Sequence, residues 1–116
     1  MTGAAARAGA TDLSALAGWP GVRLWLFDLA GEPSAAQLGW LSADERARAA
    51  RFAFERDRRR YLAAHTQLRG LLAQAMGRTP ASLRFLESVQ GKPRLDAEDA
   101  PTFNLSHSAE IGALAL

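Results

Sequence analysis

Two short stretches near the C-terminal end hold the side chains best suited to chemistry. Gly91-Lys92-Pro93 and Phe103-Asn104-Leu105-Ser106-His107-Ser108 bring together a lysine, an imidazole, an amide and two hydroxyls beside the strand-like run Ile111-Gly112-Ala113-Leu114-Ala115-Leu116. No cysteine and no carboxylate dyad accompanies them. A set made of donors is suited to an anion, because ammonium, imidazole and hydroxyl groups all hydrogen-bond to phosphate or carboxylate oxygens. Ser106 and His107 are adjacent, and neighbours in an extended strand point to opposite faces, so a Ser–His catalytic dyad is not expected. A bulge or turn there would let both reach one extended, multiply charged ligand.

Composition sharpens the weight of these residues. The chain has 116 residues with 14 Lys and Arg against 12 Asp and Glu, a formal charge of only +2. Lys92 is the sequence's single lysine, so its position inside the motif is informative. The 48% hydrophobic content suffices for the core of one small domain and leaves no room for a second. The lack of cysteine excludes a disulfide scaffold and a thiolate metal site. It agrees with a reducing, cytoplasmic setting. No apolar run reaches the roughly 18 residues of a membrane span, so a soluble chain without a membrane partner is expected. Arg58-Arg59-Arg60 tempts a nucleic-acid reading, but residues 44–60 hold seven arginines against four acids. That excess is thin for RNA or DNA, and no nucleic-acid partner is expected.

The elements that must position the motifs follow in chain order. Residues 1–20, rich in Ala and Gly, read as a poorly ordered tail. Residues 22–29 read as a strand, and Asp28 as an ordinary carboxylate at its end rather than a metal ligand. Ser42-Ala43-Asp44-Glu45 is a capping box that starts a helix at Ser42. Arg48, Arg51 and Phe52 recur along it at helical spacing. A second helix runs from about Glu55 or Asp57 to Met76, closed by Gly77. On it His65 shares the apolar stripe and reads as a packed, hydrogen-bonded histidine, while Arg69 is placed to reach an acidic partner. Thr79-Pro80 opens a short helix with Thr79 as N-cap. Residues 83–89, 92–95, 103–105 and 111–116 read as further strands. The sum is an α+β fold, a small antiparallel or mixed sheet packed against two main helices.

Taken with two upstream patterns, these motifs resemble the 4′-phosphopantetheinyl transferases of the surfactin-synthetase-activating type. The upstream patterns are Leu41-Ser42-x-x-Glu45-Arg46-x-Arg48-x-x-Arg51-Phe52-x-Phe54 and Asp57-x-x-x-Tyr61-Leu62 with Leu68-Arg69 and Leu71-Leu72. They cover most of residues 22–116 in family order. The resemblance implies that residues 21–116 are the N-terminal lobe of a two-lobed, pseudo-dimeric fold with coenzyme A in the cleft between lobes. It assigns coenzyme A binding to Arg48, Gly91, Lys92 and a turn formed by Asn104, Leu105, Ser106 and His107. The histidine and basic residues would meet its phosphates, with the lysine near the pyrophosphate. Glu45 stands where some relatives carry a second basic residue, leaving Arg48, with Arg51, for the 3′-phosphate.

The family reaction moves 4′-phosphopantetheine from coenzyme A to a serine of an acyl or peptidyl carrier protein and releases adenosine 3′,5′-bisphosphate. Magnesium neutralises the pyrophosphate and a glutamate activates the serine. The acidic residues that serve these steps in the family follow the Asn-Leu-Ser-His motif. Asp96-Ala97-Glu98 precedes it and reads as a solvated loop. No catalytic or metal-binding residue is therefore expected in this chain, which reads as a fragment that is inactive alone. Its missing C-terminal lobe, or a second copy, would be its partner. The competing reading is a non-catalytic dimerisation or interaction module that keeps only the lobe fold.

Overall fold

The computed structural model describes residues 10–16, 18, 21–87, 93–97 and 100–116. Its elements are β1 (Thr11–Asp12), β2 (Leu24–Asp28), α1 (Ala35–Leu38), α2 (Ala43–Ala50), α3 (Glu55–Met76), β3 (Phe85–Glu87), β4 (Pro93–Leu95), β5 (Asn104–Ser108) and β6 (Ile111–Ala115). A 3-10 turn at Ser14–Leu16 follows β1 and another at Pro80–Ser82 precedes β3. The strands form a four-stranded antiparallel sheet ordered β1-β2-β6-β5 and a separate antiparallel pair, β3-β4. The α+β architecture expected from the sequence is present.

Helix α3 organises the rest. Glu55 and Asp57 in its first turn complement the positive end of its dipole. Gly77 closes it in the left-handed region at φ 66, where its amide donates to the Ala73 carbonyl. Leu68 and Leu72 are fully buried, and with Ala64 and Leu71 they pack against Trp25, Phe27 and Leu29 from β2 and its end and Leu114 of β6. Strand alternation produces this sheet face: Trp25, Leu114 and Leu105 stand side by side in register, and Phe27, Gly112 and His107 form the next row. Gly112 cannot be replaced cheaply there. A Cβ on it would lie 2.8 Å from the Phe27 Cζ, and that ring is 2% exposed with nowhere to go.

Helix α2 packs on α3 through a smaller cluster of Leu41, Ala49 and Leu62, with Leu38 and Tyr61 packed against it. The capping box read from the sequence is formed in full. The Glu45 amide donates to the Ser42 hydroxyl at 3.1 Å, and the Ser42 amide to the Glu45 carboxylate at 2.8 Å.

Several expectations need correction. The stretch from Asn104 to His107 is not a turn: it is part of a regular five-residue strand paired without a bulge to β6, and the reversal falls at Ala109 and Glu110. Ala109 takes the positive φ of 52 that this tight reversal requires. Thr79 does not cap through its side chain; its carbonyl instead accepts from the Ser82 hydroxyl at 2.7 Å. The strand expected over residues 83–89 is described over Phe85–Glu87, and it pairs with β4 apart from the main sheet. Two elements had no counterpart in the sequence reading, β1 and α1, the latter carrying its own capping box between Ser34 and Gln37. Asp28 behaves as expected, ending β2 and accepting from the Ala30 amide at 2.8 Å.

Candidate functional site

Two helix faces and one sheet face enclose an open cleft. On α3, Asp57, Arg60, Tyr61, Ala64 and His65 line it, the spacing that places side chains on one side of a helix. On α2 and its end, Asp44, Glu45, Arg48, Arg51 and Phe52 do the same. Leu105 and His107, on the face that β5 turns toward the helices, line the opposite wall together with Phe103 and Phe85.

The floor is a buried ionic knot. Glu45, 8% exposed, accepts on one oxygen, Oε1, from Arg69 Nε at 2.8 Å and Nη2 at 2.7 Å, while its other oxygen lies 2.9 Å from His65 Nδ1. Arg69 is itself 2% exposed, and its remaining terminal nitrogen donates to the carbonyls of Pro80 at 2.8 Å and Leu83 at 3.0 Å. Its guanidinium also rests over the Phe85 ring at 5.1 Å. Burial alone would raise the Glu45 pKa, but hydrogen bonds from His65, Arg69 and the Ser42 amide, with the Arg69 charge, outweigh it and hold the carboxyl down at about 2. His65 stacks on Tyr61 with ring centroids 4.1 Å apart, and Tyr61 leans on Phe52 at 5.5 Å. Both sequence readings hold: His65 is a packed, hydrogen-bonded histidine, and Arg69 has found its acidic partner.

The rim differs. Arg48, Arg51 and Arg60 from the helices face the same opening as His107 from β5. Arg48 has partners of its own within the chain. Arg84 is a fourth arginine in the lining, so Asp44, Asp57 and Asp96 temper this basic rim without matching its guanidinium groups. The arrangement offers forked cationic donors from one wall and an imidazole from the other, a geometry for a polyanion laid across the gap.

Comparison with known proteins gives this geometry its context. The family model "4'-phosphopantetheinyl transferase, N-terminal" matches residues 32–116. The chain belongs to the 4′-phosphopantetheinyl transferase family. It is 39% identical over 100 residues to the 4′-phosphopantetheinyl transferase HetI of Nostoc sp., an alignment covering 82% of this chain and 42% of that protein. It is 34% identical over 96 residues to a phosphopantetheinyl transferase of Thraustochytrium sp., covering 77% of this chain and 33% of the relative. The chain thus spans less than half the length of the curated relatives it matches.

Of the residues that the family resemblance marks, the structure brings Arg48 and His107 to one cleft. Asn104 and Ser106 lie on the other face of β5, in register with Ala115 and Ala113 of β6, and both are exposed; Asn104 is engaged within the chain. Unbroken pairing of β5 with β6 therefore separates Ser106 from His107. Gly91 and Lys92 lie outside the described residues, although Pro93, which follows them, lines the cleft. Of the Asp96 and Glu98 pair, Asp96 is described, exposed after β4. Among the described residues no group of three or more His, Cys, Asp or Glu side chains is placed to hold a metal. Among the described residues no helix is long and apolar enough to cross a membrane.

Sequence reasoning weighed Arg60 only within the run Arg58-Arg59-Arg60 and did not mark Tyr61 as a site residue. The signal that could have found them is the spacing Asp57, Arg60, Tyr61, Ala64, His65, which marks a second, polar face on α3.

Proposed function

We propose that this chain supplies the coenzyme-A-binding wall of an enzyme that transfers 4′-phosphopantetheine to a serine of an acyl or peptidyl carrier protein. The observation that carries the reading is that Arg48 of α2 and His107 of β5 line the same cleft. The transfer breaks the pyrophosphate bond of coenzyme A, forms a phosphodiester to the serine oxygen, and releases adenosine 3′,5′-bisphosphate and the serine proton. In this reading the guanidinium of Arg48 and the imidazole of His107 hold phosphate oxygens, with Lys92 and Gly91 joining them from the segment before Pro93. Asn104 and Ser106, on the other sheet face, act toward the donor only where further chain closes over that side.

The general base and the magnesium ligands are assigned to residues outside this stretch, in keeping with relatives more than twice as long, and the 116 residues alone are expected to be inactive. The outer face of the sheet, where Leu26 and Ile111 are exposed beside the open edge of β5, is assigned to that remaining chain or a second copy. The test is mass spectrometry of an apo carrier protein incubated with the full-length protein, coenzyme A and magnesium. A gain of one phosphopantetheine group is expected. An unchanged mass across acyl and peptidyl carriers would refute the reading.

A further inference from the structure

The three consecutive arginines at the start of α3 do not share one environment. Arg58 is neutralised on the side away from the cleft: its Nε donates to Glu55 at 2.8 Å, and its terminal nitrogen reaches Glu55 and, at 3.4 Å, Glu32. Arg59 lies close enough to Glu55 to help hold that carboxylate's pKa down, and it does not line the cleft. Arg60, half-buried, lines the cleft beside Arg48 and Arg51. Its Nε is buried and meets no acceptor among the described residues. The carboxylate one turn back on the same face, Asp57, has Arg56 at 4.0 Å.

A guanidinium nitrogen withdrawn from water without an acceptor is unfavourable, and charged donors lose more than neutral ones. In a cleft rimmed by three further arginines, Arg48, Arg51 and Arg84, a polyanionic ligand is the acceptor whose binding would remove that penalty. We propose that Arg60 is an anion-binding residue of this cleft and that it takes a phosphate oxygen of the bound ligand through its guanidinium fork. The assignment rests on the coenzyme A reading above and adds a residue that the motifs did not mark. Arg59 serves as the internal control, since its Nε is equally buried and unpartnered while its side chain is off the cleft.

The experiment is calorimetric titration of coenzyme A into the full-length protein and into its Arg60→Gln, Arg60→Lys, Arg59→Gln and His107→Ala variants, each checked for wild-type melting. Arg60→Gln is expected to weaken binding about tenfold, the loss of one charge-assisted hydrogen bond. Arg60→Lys should recover part of it, and Arg59→Gln should leave affinity unchanged. If Arg60→Gln binds as wild type while His107→Ala binds weakly, the Arg60 assignment is wrong and the coenzyme A reading stands. Equal losses in the Arg59 and Arg60 variants would reduce the effect to the general field of the helix and overturn the assignment too. Failure of the wild-type protein to bind coenzyme A would remove both.

Discussion

The floor and the rim of the cleft use the same residue types in opposite ways. On the floor, Arg69 and His65 converge on Glu45, and the remaining arginine donor is taken by two backbone carbonyls, so every charge has a partner. At the rim, Arg48, Arg51, Arg60 and Arg84 line, together with His107, an opening that holds three carboxylates, Asp44, Asp57 and Asp96. A buried charge pair specifies an arrangement and is very costly to break from one side. A partly exposed cation outside such a buried pair contributes less to stability and is available to a ligand. Floor residues should therefore answer to denaturation and rim residues to binding, and each substitution below tests that division.

The largest effect is expected from Arg69→Met. It strands the buried Glu45 carboxylate and leaves the Pro80 and Leu83 carbonyls without their donor, costing about 3–5 kcal/mol by urea denaturation. A loss below about 1 kcal/mol would place the pair among ordinary surface contacts. Acid should expose the same knot. Because the folded Glu45 pKa is depressed from 4.5 to about 2, its stabilisation is fully present above 4.5 and lost as pH falls toward 2. The amount is on the order of 2 kcal/mol, because a partly solvated carboxyl realises less than the full shift. Glu45→Gln should flatten that part of the stability–pH curve measured by thermal melts, and an unchanged slope would locate the acid sensitivity elsewhere.

Gly112→Ala tests the sheet that presents His107. With the Phe27 ring fixed against it, the added methyl should cost about 1–3 kcal/mol in the same denaturation assay, and a neutral result would mean the ring can step aside. Ser42→Ala removes one half of the capping box and should cost about 1 kcal/mol. At the small end, His107→Ala should change stability by less than about 0.5 kcal/mol. A larger loss would make His107 a floor residue and collapse the comparison.

Legibility in the sequence followed the range of the interactions. Ser42 and Glu45, three residues apart, declare their capping box, and Gly77 declares the end of α3, because the physics of both is local. The box of Ser34 and Gln37 obeys the same rule and was there to be read. Arg69 could be marked as seeking an acid, but the acid is Glu45, 24 residues away, and only packing of α2 on α3 selects it. The family resemblance implied a turn over Asn104 to His107, and the preference of asparagine and serine for turns agrees with it. Pairing along the whole of β6 overrides that preference, and with it the expectation that Ser106 and His107 share a ligand on one face. The family motifs pointed to Arg48 and His107 without stating that they line one cleft, which depends on where β5 lies relative to α2.

The central claim is that these two opposed walls bind one polyphosphate. The most direct measurement is a double-mutant cycle on coenzyme A affinity in the full-length protein with Arg48→Ala, His107→Ala and the pair, at low and high salt. The account predicts that each single variant weakens binding about tenfold and that wild-type affinity falls as salt rises. Wild-type affinity in both single variants, or binding indifferent to salt, would contradict it.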